Sequence, residues 1–283
     1  MMQNETTMYT GALASASGEI EYGFTNDYMF RAILQQNKNV LKALICSLLH
    51  LHPEEVLSVE ITNPIELGKK IDAKEFILDI KVSLNNRSII NLEMQVKNQQ
   101  NWEERSLSYL CRSFDRLNSG DDYINALPAI HIGFLDFTPF PDSPEFYATY
   151  KLLNVKNHRQ YSSKFVLSVV DLTKTELATE EDKSWQIDHW ARLFKAKTWE
   201  ELKMIAKENK AMQEASETLY HMHCEQTIRD MARAREDAIR WERGMKKQIA
   251  MLTENNKRLT EEIADKDAEI AKLRAALEQN NEK

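Results

Sequence analysis

Between Phe76 and Lys97 the chain reads FILDIKVSLNNRSIINLEMQVK, two runs in which apolar and polar residues alternate. In the first, Leu78, Ile80 and Val82 fall on one side, with Asp79, Lys81 and Ser83 on the other. In the second, Ile90, Leu92, Met94 and Val96 alternate with Asn91, Glu93, Gln95 and Lys97. A period of two predicts a half-buried β-hairpin, with the polar Asn85-Asn86-Arg87-Ser88 as its bend. Parity then limits the register. Residues opposite each other on antiparallel strands share a face, so two apolar rows meet one core only if the loop holds three residues (Asn85–Arg87) or five. Either loop sets Asp79 across from Glu93, with Cβ atoms about 4.5–5.5 Å apart on the outward face of the sheet. Facing like charges repel unless something neutralises them. A divalent cation that prefers oxygen ligands, such as Mg²⁺, would do so. The plain alternative is a solvated strand face balanced by Lys81 and Lys97.

The other periodic stretches surround this hairpin. Residues 1–20 carry no periodicity and are expected to form a mobile tail. Thr25 or Asn26 caps a helix with Asp27 in its first turn and Phe30, Ile33 and Leu34 on its apolar side. Asn39–Leu51 is a buried helix stopped by Pro53, and Val56–Ile61 a short strand. Trp102–Leu117 predicts a helix with the stripe Leu107, Leu110, Cys111, Phe114 and Leu117, ended by Gly120; Arg105, Tyr109, Arg112 and Arg116 lie on its other flank. Ala129–Asp136 and Phe165–Leu172 read as buried strands, with His131 a packed or hydrogen-bonded strand residue. Alternating strands and helices imply an α/β core with a mixed sheet flanked by helices.

From about residue 180 glycine becomes scarce and Trp185, Trp190, Phe194 and Trp199 punctuate amphipathic helices. His221 and His223, followed by Cys224, stand at i and i+2, which do not face each other on a helix, so no metal site is expected there. From Met245 a heptad emerges, with Ile249, Asn256, Ile263, Ile270 and Leu277 at a, and Met245, Leu252, Leu259, Lys266, Leu273 and Asn280 at d. Ile at a, Leu at d and one Asn at a favour a parallel two-stranded coiled coil, hence a homodimer; a fold-back onto the domain is the alternative. The expected organisation is a tail (1–20), an α/β domain (21–180), a helical region (181–240) and a coiled coil (241–283).

Composition narrows the function classes. With 37 basic and 44 acidic residues the net charge is −7, which argues against broad, non-specific adhesion to nucleic acid but permits a local basic face. The three scattered cysteines point to reduced thiols. No apolar run reaches membrane-spanning length and no signal peptide is evident, so a cytoplasmic location is expected.

Asp79, thirteen intervening residues, and Glu93-Met94-Gln95 resemble the core of the PD-(D/E)XK nuclease fold. More narrowly they resemble the Rpn family of recombination-promoting nucleases, also described as transposases, whose motif ends in Glu-x-Gln. Asn26-Asp27-Tyr28-Met29-Phe30-Arg31 is similar to that family's helix start, and Arg105–Tyr109 and Ser119–Tyr123 to its following helix and loop. The resemblance spans roughly residues 21 to 140 and implies a PD-(D/E)XK nuclease-like fold and a metal-dependent DNA endonuclease. On that reading Asp79, Glu93 and the Met94 carbonyl hold Mg²⁺ or Mn²⁺, Asp27 assists, and Gln95 replaces the usual lysine. Glutamine has no proton-transfer pKa, so Gln95 can position water but cannot act as a base. Lys81, Lys97, Arg105 and Arg112 are the candidate contacts to DNA phosphates. The competing expectation is a catalytically silent scaffold on the same fold.

Overall fold

The computed structural model describes residues 12–65, 67 and 79–281. Six strands form one mixed sheet in the order β1-β2-β3-β4-β6-β5. They are β1 (Val59–Ile61), β2 (Ile80–Leu84), β3 (Ser88–Gln95), β4 (Ala129–Leu135), β5 (Tyr147–Lys151) and β6 (Phe165–Asp171). β1, β2 and β3 are antiparallel neighbours, β3, β4 and β6 run parallel, and β5 is an antiparallel edge. The helices are α1 (Asp27–Gln36), α2 (Lys38–Leu49), α3 (Trp102–Phe114), α4 (Glu180–Ser184), α5 (Ile187–Lys195), α6 (Trp199–Ala206), α7 (Lys210–Cys224) and α8 (Gln226–Asn281).

The central hairpin has the register that parity demands. Ile80 pairs with Leu92, Val82 with Ile90 and Leu84 with Ser88, leaving the three-residue loop Asn85–Arg87. Asn85 and Asn86 take the left-handed conformation, at φ 52° and 53°, which asparagine tolerates better than most residues. The expected start of the hairpin, residues 76–78, lies outside the described residues.

The apolar row Ile80, Val82, Ile90, Leu92 and Met94 is buried with Phe30, Ile33 and Leu34 of α1, Leu41 and Leu44 of α2, and Trp190, Phe194 and Leu219 from the later helices. Asn26 caps α1 by accepting the Met29 N–H at 3.2 Å. The helices after residue 180 thus share the principal core of the domain. Residues 12–20, expected in a tail, are tied to that domain: Leu13 is buried, the Ile20 N–H donates to Lys197 O at 2.8 Å, and the Trp199 N–H donates to Gly18 O at 2.9 Å. Residues 1–11 lie outside the described set.

The opposite sheet face is covered as well, by α3, which crosses β3, β4 and β6. The outward polar face expected for β3 is therefore buried, because β3 is an interior strand beneath a helix. The stripe read for that helix is also corrected. Trp102, Ser106, Leu110 and Ser113 face inward, while Leu107 and Cys111 are exposed. The helix stops at Phe114, where the Asp115 N–H bonds back to Cys111 O, short of the expected Leu117 and Gly120.

Contacts divide the chain into two compact units, Met1–Arg235 and Glu236–Lys283. In the second, Ile249, Leu252, Leu259, Ile263, Ile270, Leu273 and Leu277 are each 46–63 % exposed.

Candidate active site

Asp79 immediately precedes β2, and the register of the hairpin continues to set it across from Glu93. Both carboxylates are buried, at 5 % and 4 % exposure, beneath α3. Asp79 is fixed through its backbone. Its carbonyl accepts from Arg31 Nη1 and, at 2.9 Å, from Asn63 Nδ2, while Asn63 Oδ1 accepts the Lys81 N–H at 2.8 Å. Arg31 is itself 1 % exposed and also donates to Asn63 O. Burial lowers its pKa, and the Asp79 charge opposes that shift.

Glu93 is held from α3. Arg105 Nε and Nη2 both lie 2.7 Å from Glu93 Oε1. Burial raises the Glu93 pKa, Arg105 pulls it back, and the negative charges of Asp79 and Asp27 push it up again. Three acidic groups, Asp27 in α1, Asp79 just before β2 and Glu93 in β3, therefore share one electrostatic neighbourhood. Glu93 Oε2 and both carboxylate oxygens of Asp79 are buried with no hydrogen-bond partner among the described residues.

His131 stands beside Asn91 on the neighbouring strand, and its Nδ1 is 2.9 Å from Asn91 Nδ2. With that amide nitrogen donating, the ring proton sits on Nε2, which lies 3.8 Å from Glu93 Oε2. Burial, reinforced by the Arg105 charge, lowers the His131 pKa to about 3, so the imidazole is neutral. Tyr109 stacks on this ring at 5.9 Å, 7° from parallel. Gly133 pairs with Glu93, and its missing side chain is filled by Trp102: a Cβ there would meet the indole at 2.1 Å. Glycine at this position is what lets α3 approach the carboxylates.

The remaining expected site residues are distributed as follows. Asp27 is held by Arg235 at the start of α8, with Nε 2.9 Å from both carboxylate oxygens and Nη2 2.6 Å from Oδ2. Gln95 is half-buried and donates to Lys97 O at 2.9 Å. Gln95 O accepts from Asp136 N–H on the β4 side. Carbonyls alternate along a strand, so the Met94 carbonyl points to the β2 side, where Asp79 lies. Lys81, opposite Asn91, is half-buried on the carboxylate face; Lys97 lies just beyond β3, and Arg112 is exposed in the last turn of α3. His131 is the packed, hydrogen-bonded strand residue that the sequence predicts, whereas the sequence assigns no role to Arg31 or Arg235. Arg31 sits inside the motif that carried the resemblance; nothing local marks Arg235.

A divalent metal fits this donor set. Buried carboxylate oxygens are ordinarily satisfied, and three from two adjacent strands are not. Among the described residues no group of three or more His, Cys, Asp and Glu side chains is gathered to hold a metal. An ion on Asp79 and Glu93 would thus take its other ligands from backbone oxygen and water.

A family model described as PD-(D/E)XK nuclease family transposase matches residues 24–250. No curated protein and no solved structure matches the chain. Among the described residues no helix is long and apolar enough to cross a membrane.

Proposed function

The chain belongs to the PD-(D/E)XK nuclease family transposases, and from that premise we propose that it is a metal-dependent DNA endonuclease. The observation that carries the reading is the buried pair Asp79 and Glu93, three of whose four carboxylate oxygens lack a hydrogen-bond partner among the described residues. Asp79 and Glu93 would hold Mg²⁺ or Mn²⁺ with help from the Met94 carbonyl. When bound, such an ion activates water and offsets charge developing on the phosphate.

The chain's own residues do the rest. Arg31 and Asn63 hold the Asp79 backbone, which fixes where its carboxylate points. Arg105 orients Glu93 by binding one oxygen and leaving the other toward the pair. Asp27, committed to Arg235, acts on the site through its field and through any water it binds. Gln95 orients water through its amide without taking a proton. Lys81, Lys97 and Arg112 supply positive charge to flanking phosphates.

The exposed Ile and Leu row of α8 supports a parallel homodimer. Two sites, one per protomer, would allow both strands of a duplex to be cut. The same row and the acidic net charge favour a second reading, a silent scaffold that only assembles.

Supercoiled plasmid incubated with Mg²⁺, Mn²⁺ or EDTA separates the two. The endonuclease nicks only with metal and loses that activity in Asp79→Ala. Absence of nicking at every metal concentration leaves the scaffold.

A further inference from the structure

The edge strand β5 runs into a stretch of unusual composition. Between Glu145 and Asp171 the chain carries Lys151, Lys156, Arg159 and Lys164 and no carboxylate, on a protein of net charge −7. Residues 151–161 are all exposed. They form a short hairpin closed by a single β-bridge. Leu153 bridges Gln160, the Asn154 N–H donates to Arg159 O at 2.9 Å, and the Tyr161 N–H donates to Leu152 O at 2.9 Å. Its tip is preorganised, since the Asn154 and Asn157 side chains accept the Lys156 and Arg159 N–H groups at 2.8 and 3.0 Å. Lys164, at the foot, donates to the carbonyls of Ile124 and Ala126 and anchors the hairpin to the domain.

Edge strands often carry lysine simply to discourage pairing with another sheet. That accounts for Lys151 but not for Val155 and Tyr161, which stand 89 % and 82 % exposed among the cations. Cations interleaved with solvent-facing aromatic and aliphatic groups suit a surface that meets both phosphates and bases. The major groove of B-form DNA is about 12 Å wide and admits a two-stranded ribbon.

We propose that the 151–161 hairpin is an arm that binds duplex DNA beside the cleavage site, with Lys156 and Arg159 on phosphates and Tyr161 against the groove. This rests on the reading of the carboxylate site as acting on DNA. The sheet fixes the spacing. Glu93, Gly133 and Val169 lie in one row, and Lys151 pairs with Val166, three positions away on an adjoining strand. Three strand spacings of about 4.8 Å and three residues of about 3.3 Å put the foot of the arm roughly 17 Å from the carboxylates. That is about half a helical turn of duplex, so one bound segment reaches both.

Fluorescence anisotropy with a 30-bp duplex in EDTA, titrated from 50 to 300 mM KCl, tests the arm without cleavage. Lys156→Ala with Arg159→Ala is expected to weaken binding at least tenfold at 100 mM salt. It should also reduce the log K–log salt slope by about 2, since each phosphate contact contributes about 0.9. The charge-keeping pair Lys156→Arg with Arg159→Lys should retain the slope. An unchanged slope in the alanine pair overturns the proposal, as does wild-type protein that does not bind the duplex, or arm-dependent binding that is tighter to duplex RNA. Arm-dependent binding without metal-dependent nicking leaves the arm standing and removes the endonuclease; nicking with arm-independent binding does the reverse.

Discussion

Arg105 places two nitrogens 2.7 Å from a single oxygen of Glu93 and none on the other. The guanidinium neutralises one member of a buried carboxylate pair and leaves the second oxygen available. Removing one partner of a buried ion pair costs about 3–5 kcal/mol, and Arg105 is 34 % exposed, so solvent reduces that figure. Arg105→Ala in EDTA should lose about 1–3 kcal/mol by urea denaturation, and Glu93→Gln in the same background should restore part of it. Equal stability of Arg105→Ala and wild type would mean that the pair carries no energy.

Trp102 fills the place of the absent Gly133 side chain. Overpacking of this kind costs about 1–3 kcal/mol. Gly133→Ala should therefore melt below wild type, and adding Trp102→Leu should give a double variant whose loss is smaller than the two single losses combined. Simple additivity in a thermal-unfolding cycle would contradict the contact.

His131 has a pKa lowered from 6.5 to about 3 by burial, with Arg105 adding to the shift. Between those values the unfolded chain binds a proton that the fold excludes. This contribution to stability is therefore complete above about pH 6.5 and is lost as pH falls toward 3, with a slope of up to about 1.4 kcal/mol per pH unit. Glu93, whose pKa is raised, has the opposite sign and favours the fold as it takes up its proton. Urea midpoints from pH 7.5 to 4.5 in EDTA should fall less steeply in His131→Gln than in wild type. Parallel curves would show that folding does not lower the His131 pKa.

The heptad of α8 predicts a mass near twice 32.9 kDa by light scattering. Aspartate at Leu259 and Ile263 together should halve it without altering the melting of the α/β domain. A wild-type monomer at tens of micromolar would remove the dimer.

What was legible before the structure was local. Strict alternation and loop parity located the Asp79–Glu93 pair, and Asn26 announced the start of α1. The missing parts depend on residues distant in sequence. The polar row Asn91, Glu93 and Gln95 predicts a half-exposed β3, yet α3 returns over that row. A helix that covers polar side chains buries Ser106 and Ser113 and leaves Leu107 exposed, the reverse of the usual amphipathic rule. Strand β5 is short and lies at the edge, with no apolar alternation to mark it. Arg235 meets Asp27 across 208 positions, and no local pattern announces such a partner.

Calorimetric titration with Mn²⁺ reports on the carboxylate pair itself, independent of any substrate. Wild-type protein is expected to take up a divalent ion, and Asp79→Asn, which keeps the shape and removes the charge, is expected to lose that binding while remaining folded. Equal Mn²⁺ binding by both proteins, or none by wild type at millimolar metal, would contradict the assignment of Asp79 and Glu93 as a metal site.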